Sequence, residues 1–240
     1  MTTKFELASP VREIFAYLAP NYFDPKKGHC NWGHDGQHLL RCLASRKAYW
    51  PAIINDEPNF AGEGNDLAID LGLALHDLDR SKELRGRTDE AKTRRRDFAA
   101  ALMRQHDIDE FIILEVFAAL DTKFLQTDDP QKTPLARVID DLDKADMGAV
   151  GLYRMAAVAC DRNYGVFARA RDFDPDAPAI EGDDNLDSYA ADICFCLEWR
   201  NKPKFAIATP AIRRAVEHRF DFMEASLAQL KREHEELGLI

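Results

Sequence analysis

The chain has 240 residues, 46% of them hydrophobic, and a formal net charge of −10 at pH 7. That length and apolar content support one large globular domain with a real core, or two small ones, and exclude a disordered tail. The charge, with an isoelectric point near 5.2, argues against broad electrostatic attraction to DNA, RNA or anionic membranes.

The opening "MTTKFELASPVREIFAYLAP" is broken by charges every few residues and has no apolar run fit for a signal peptide or membrane span, so a soluble, cytoplasmic chain with no membrane partner is expected. Apolar spacing near 3.6 dominates, and alternating β-branched runs bounded by turns are nearly absent. An all-α, single compact domain over 1–240 follows. Helices are predicted at 10–18, 34–49, 66–78, 89–105, 108–122, 134–160, 187–199 and 209–236. The last has Thr209 to cap free amides, Pro210 at its first position and Gly238 to end it. Between the last two helices and the rest, "RDFDPDAPAIEGDDNLD" (171–187) carries seven acidic residues, two prolines and a glycine, the composition of a solvated acidic loop. Asp172, Asp174 and Asp176 alternate as in a calcium loop, but Ala177 stands where the sharp turn needs glycine.

The five cysteines are odd in number and lack a framework spacing, so reduced thiols are expected, with Cys42 and Cys160 buried. Trp32, Trp50 and Trp199 read as core or rim residues. No Walker or Rossmann glycine pattern occurs.

Three stretches carry ionisable groups where burial is expected. In "HCNWGHDGQHLLRC", Cys30, His34, His38 and Cys42 recur every four residues, but on a helix the outer two would stand about 18 Å apart, too far to share an ion. A His34/His38 pair on one face survives, with a helix beginning near Asp35. In "LGLALHDLDR" (71–80), His76 and Asp77 end a helix apolar nearly all round. Asp77 there needs either a cation or Arg80 one turn later. In "ARVIDDLDKADMGAVGLYR" (136–154), helical winding puts Asp146 inside the stripe of Leu135, Val138, Ile139, Leu142, Ala145, Ala149 and Leu152, and Asp143 at its edge. Asp140 and Lys144 are expected to point outward. Two histidines and two aspartates on three helices would be satisfied by one divalent cation, with positions left open for water and substrate oxygens, which is hydrolytic chemistry.

The order His38, His76 with Asp77, then Asp143 resembles the H…HD…D signature of the HD-domain metal-dependent phosphohydrolases. "HDGQHLLRCLA" looks like their first motif. "DLDKADMGAVGLYR" is similar to the aspartate motif DADRLDALGAIGIAR of a small bacterial branch that includes nucleotide pyrophosphohydrolases. "ATPAIRRAVEHRFDFMEASLAQL" resembles the C-terminal helix of that branch, and the resemblance runs over roughly residues 28 to 235. The chain departs from the branch in a motif one residue shorter between Asp146 and Gly148, in Leu142 where alanine is usual, and in "ALDTKF", with Asp121 near the place of a His-Ser pair.

The resemblance implies one divalent metal ion (Mn favoured; Fe, Co, Ni, Zn or Mg as others) held by His38, His76, Asp77 and Asp143. Asp77 would also orient the attacking water, and His34 would protonate the leaving group. The implied reaction cleaves a phosphate ester or anhydride, with a nucleoside triphosphate going to monophosphate and pyrophosphate as the leading reaction. An anionic substrate also suits the segment "RSKELRGRTDEAKTRRR" (80–96), which is +5 while the rest of the chain is −15. Arg80 and Lys82, directly after the metal motif, are assigned to the substrate together with Asp146; most of the other cations in this segment read as a solvated face. A homodimer is compatible with this reading. Two alternatives are a di-iron oxygenase of the same superfamily, with His106 as the spare ligand, and a degenerate HD domain that binds a nucleotide or a protein partner.

Overall fold

The computed structural model describes residues 7–30, 33–86, 88–161 and 188–239. The predicted acidic loop at 171–187, Trp32 and the side chain of Cys160 lie outside the described residues. The described chain is all-α: α1 (Ser9–Tyr22), α2 (Gly36–Asp56), α3 (Glu63–Leu75), α4 (Asp89–Gln105), α5 (Glu110–Thr122), α6 (Pro134–Lys144), α7 (Ala149–Asp161), α8 (Tyr189–Asn201) and α9 (Pro210–Glu236). No helix among the described residues is long and apolar enough to cross a membrane.

The starts follow capping chemistry. Asp35 accepts from the His38 amide at 2.8 Å, Thr88 from Ala91 at 3.2 Å, Thr133 from Ala136 at 3.1 Å and Ser188 from Ala191 at 3.2 Å. Gly238, at φ +66°, ends α9 as expected.

The core is built around α3, whose Ala68, Ile69, Leu71, Leu73, Ala74 and Leu75 are all buried. It packs against α1, α2, α5 and α6. At Gly72 a Cβ would come within 2.3 Å of the Ile139 Cδ1 atom, so glycine is what lets α3 and α6 approach. Cys42 and Trp50 join this core as predicted.

Three expectations need correction. The predicted 134–160 helix is two helices, broken at 145–148. Gly148 turns at φ +91°, and the α6 end is held by Arg219 of α9, which donates to the Ala145 carbonyl. Asp140 and Lys144 do not point outward: Asp140 is only 7% exposed and accepts from Lys132 at 2.5 Å and Lys144 at 2.7 Å. Two ammonium groups satisfy the carboxylate and make its burial tolerable. Thr209 caps no amide with its side chain. Its hydroxyl and amide both donate to Asp141 at 2.7 Å, and the Ala208 amide adds a third bond at 3.1 Å, tying α6 to the start of α9.

Burial pushes the Asp141 carboxyl up to about 6, against the pull of the Thr209 donors. Between the ordinary carboxylate range and about pH 6 the folded chain therefore holds more protons than the unfolded chain. Its stability falls as pH rises through that window. Relative to Asp141→Asn, the wild type should gain about 1.4 kcal/mol per unit as pH drops from 6 toward 4. Urea unfolding of both proteins from pH 4.5 to 7.5 checks this. A gap that is flat with pH would refute it.

Candidate metal centre

The Asp35 cap starts α2 so that His38 falls in its first turn, fully buried. α3 stops at Leu75, leaving His76 at its C-terminal cap and Asp77 in the turn that follows, earlier than the predicted end at 78. Asp143 comes from the last turn of α6. These three segments converge on one point. The His38 Nε2 atom lies 3.0 Å from Asp143 Oδ1, 3.4 Å from Asp77 Oδ2 and 3.3 Å from His76 Nε2. His76 Nε2 is 3.4 Å from both Asp77 Oδ2 and Asp143 Oδ1.

The outer ring nitrogens fix the tautomers. His76 Nδ1 lies 2.8 Å from the Leu73 carbonyl, which can only accept, so Nδ1 carries the hydrogen. His38 Nδ1 lies 2.7 Å from Asp146 Oδ2, a carboxylate that Arg41 grips at 2.9 and 3.1 Å, so this nitrogen donates too. Both Nε2 atoms then face each other and two carboxylate oxygens, as lone pairs when the rings are neutral and as donors when they are protonated. A proton on one ring satisfies one nitrogen, whereas a divalent cation satisfies all four donors. The spacing suits such an ion, since ligands about 2.1 Å from a metal stand about 3.0 Å apart at octahedral right angles and about 3.4 Å apart in a tetrahedron.

Two donor clusters within 4.8 Å share His38: one adds Cys42, His76 and Asp143, the other His34 and Asp77. Cys42 Sγ is 3.9 Å from His38 Nε2, farther than the 3.0–3.4 Å that separates the imidazole and carboxylate donors, and burial pushes its thiol up. Asp77 and Asp143 remain ionised. Burial alone would raise Asp77, but His76 and His34 hold it well below the usual carboxylate range. For Asp143 the same opposition to burial comes from Lys123 and His76.

His34 Nδ1 lies 2.8 Å from Asp77 Oδ2 with its side chain 25% exposed, between the buried donors and the outside. The alternative partner of Asp77 is not used: Arg80 lies against Asp79 at 3.8 Å. Lys82 is exposed, and its backbone amide donates to His29. Neither cation is paired with any of the four donors, because the short Leu78–Arg80 turn follows directly on Asp77 and leads the chain onward. Both oxygens of Asp146 are engaged by His38 and Arg41, and the residue also borders a separate cavity beside Arg41 and Arg219. His106 pairs with Glu13 at 3.2 Å and belongs to neither donor cluster.

Sequence reading missed Lys123. It is 1% exposed, and its Nζ donates to Asp143 Oδ2 at 2.7 Å. Asp121, read as the replacement at this place, is on the surface with Arg96. The signal was in the spacing: Ile113, Val116, Leu120 and Lys123 fall on one helical stripe. A cavity of about 390 Å³ reaches His76 from the side of α4 and α5, bordered by Lys92, Arg95, Arg96, Phe117 and Phe124.

No family model and no curated protein matches the chain. Solved structures share its fold. A protein of Lactobacillus plantarum superposes with a TM-score of 0.60 at 17% identity, covering 97% of this chain and 100% of that one. Bacillus subtilis YpgQ, solved in complex with ADP, gives 0.60 at 16% identity over 94% and 95%. The Lin1889 protein of Listeria innocua gives 0.60 at 14% over 95% and 96%.

Proposed function

We propose that this chain is a cytoplasmic metal-dependent phosphohydrolase of the HD type acting on a nucleotide, with cleavage of a nucleoside triphosphate to monophosphate and pyrophosphate as its leading reaction. One observation carries the reading: four potential ligand atoms from three segments of the chain converge, with the Nδ1 hydrogen of each imidazole engaged elsewhere. Held by His38, His76, Asp77 and Asp143, a divalent cation, manganese by preference, supplies Lewis acidity toward a water and a phosphoryl oxygen.

The chain's own groups do the rest. Asp77 keeps its charge beside His34 and orients the attacking water. His34, a quarter exposed beside the buried donors, would act as the general acid for the leaving oxygen. Lys92, Arg95 and Arg96 border the cavity that reaches His76 and take over the phosphate-holding role assigned to Arg80 and Lys82. Arg95 is braced by the carbonyls of Leu84 and Gly86 at 3.0 and 2.7 Å, which orients its guanidinium ahead of binding. The ADP in Bacillus subtilis YpgQ, a chain of like fold, supports a nucleotide as the ligand class.

The test is a panel of nucleoside di- and triphosphates incubated with the manganese-loaded protein and followed by phosphorus NMR. Monophosphate with pyrophosphate is expected. Orthophosphate alone would move the cut to the terminal bond. Nucleotide binding without turnover by the loaded protein would overturn the hydrolase and leave a binding module.

A further inference from the structure

We propose that Lys123 is a built-in cation that confines the centre to a single metal ion and makes Asp143 a one-oxygen ligand. The inference rests on the metal-dependent reading above and adds to it what decides the number of ions. The Asp143 carboxylate is divided between two partners. Its Oδ1 faces the His38 and His76 nitrogens at 3.0 and 3.4 Å, and its Oδ2 accepts from Lys123 Nζ at 2.7 Å. In two-metal hydrolytic sites the ions stand about 3.5–4 Å apart, close enough for one carboxylate to give an oxygen to each. Here the second oxygen already has its cation. That cation arrives on a side chain 2% exposed, rooted at the end of α5 and backed by the Phe124 ring, with 5.0 Å from Nζ to the centroid.

Charge points the same way. With neutral imidazoles, Asp77, Asp143 and one divalent ion sum to zero, and Lys123 makes the centre +1. A second divalent ion would meet an ammonium group and a first ion together; the further histidine beside the centre, His34, is already engaged with Asp77 at 2.8 Å, and His106 sits on Glu13. The net positive charge instead favours an anionic substrate on a one-metal centre.

The wild type, Lys123→Met and Lys123→Arg are titrated with manganese and followed by elemental analysis and by the electron paramagnetic resonance of bound ion. Circular dichroism checks that each is folded. One equivalent with a mononuclear spectrum is expected for the wild type and for Lys123→Arg, which keeps the charge. Lys123→Met should bind the first ion tighter, on the order of tenfold, because a like charge beside it is gone. At excess manganese it should take up a second ion with a spin-coupled spectrum. A merely structural lysine would weaken binding when removed, the opposite sign. Two equivalents in the wild type would overturn the inference even if no variant folds. A folded Lys123→Met that stays at one equivalent with unchanged or weaker affinity would overturn it as well. A wild type that binds no manganese would take down the metal-dependent reading itself, a result distinct from either.

Discussion

His76→Ala will lose both manganese and turnover. Losing one of four ligands is expected to cost on the order of 10²–10³ in affinity, about 2.7–4.1 kcal/mol. The loss in His76→Ala should sit at the upper end, because His76 Nε2 contacts His38, Asp77 and Asp143 at once and its removal unsettles every other donor. Asp146→Ala touches no metal-facing atom; it frees His38 Nδ1 and unpairs Arg41. Its effect should be smaller, about 10–100-fold, as for other groups that orient a ligand. Isothermal titration of the two variants with manganese orders them. Equal losses, or retention of one equivalent by folded His76→Ala, would show that the four donors do not form one centre.

Chelation will lower the melting temperature, and manganese will restore it. Without a cation the folded state keeps two imidazole Nε2 atoms 3.3 Å apart and within 3.4 Å of two buried carboxylates, with only shared protons to hold them together. The unfolded chain escapes that crowding. Metal at about a thousand times its dissociation constant adds about 4 kcal/mol to the folded state. For a chain of this size that corresponds to about 8–16 °C. Scanning calorimetry with EDTA, and then with excess manganese, measures the shift. Because the ligands must be deprotonated, the shift should widen as pH rises. Identical melting curves with and without metal would remove the basis for a bound cation.

Most of this centre was legible in the sequence because apolar periodicity marks burial, and a buried acid or imidazole needs a partner. His38, His76, Asp77 and Asp143 were found that way, with the family resemblance choosing His38 over His34. Asp146 was seen as buried, but its partner was not, since a pairing across 108 residues leaves no local trace. Arg80 and Lys82 were chosen for their nearness to the metal motif. The turn at 78–80 separates nearness in sequence from nearness in space, and the cavity meets cations one helix later. Asp140 and Lys144 were wound outward on a surface that proves to be an interior ion-pair cluster with Lys132. Lys123 lay on a recognisable stripe and was passed over because lysine is so seldom buried.

The break between α6 and α7 bears on the order in which this chain matures. Asp146 sits in that break, and the carbonyl just before it is held by Arg219, 74 residues further on. A nascent polypeptide that has emerged only as far as Asp146 already carries every donor, yet the guanidinium that secures the end of α6 is still to be translated. The end of α6 is therefore completed late, on the arrival of α9, so the last turn that carries Asp143 gains its full support only in a finished chain.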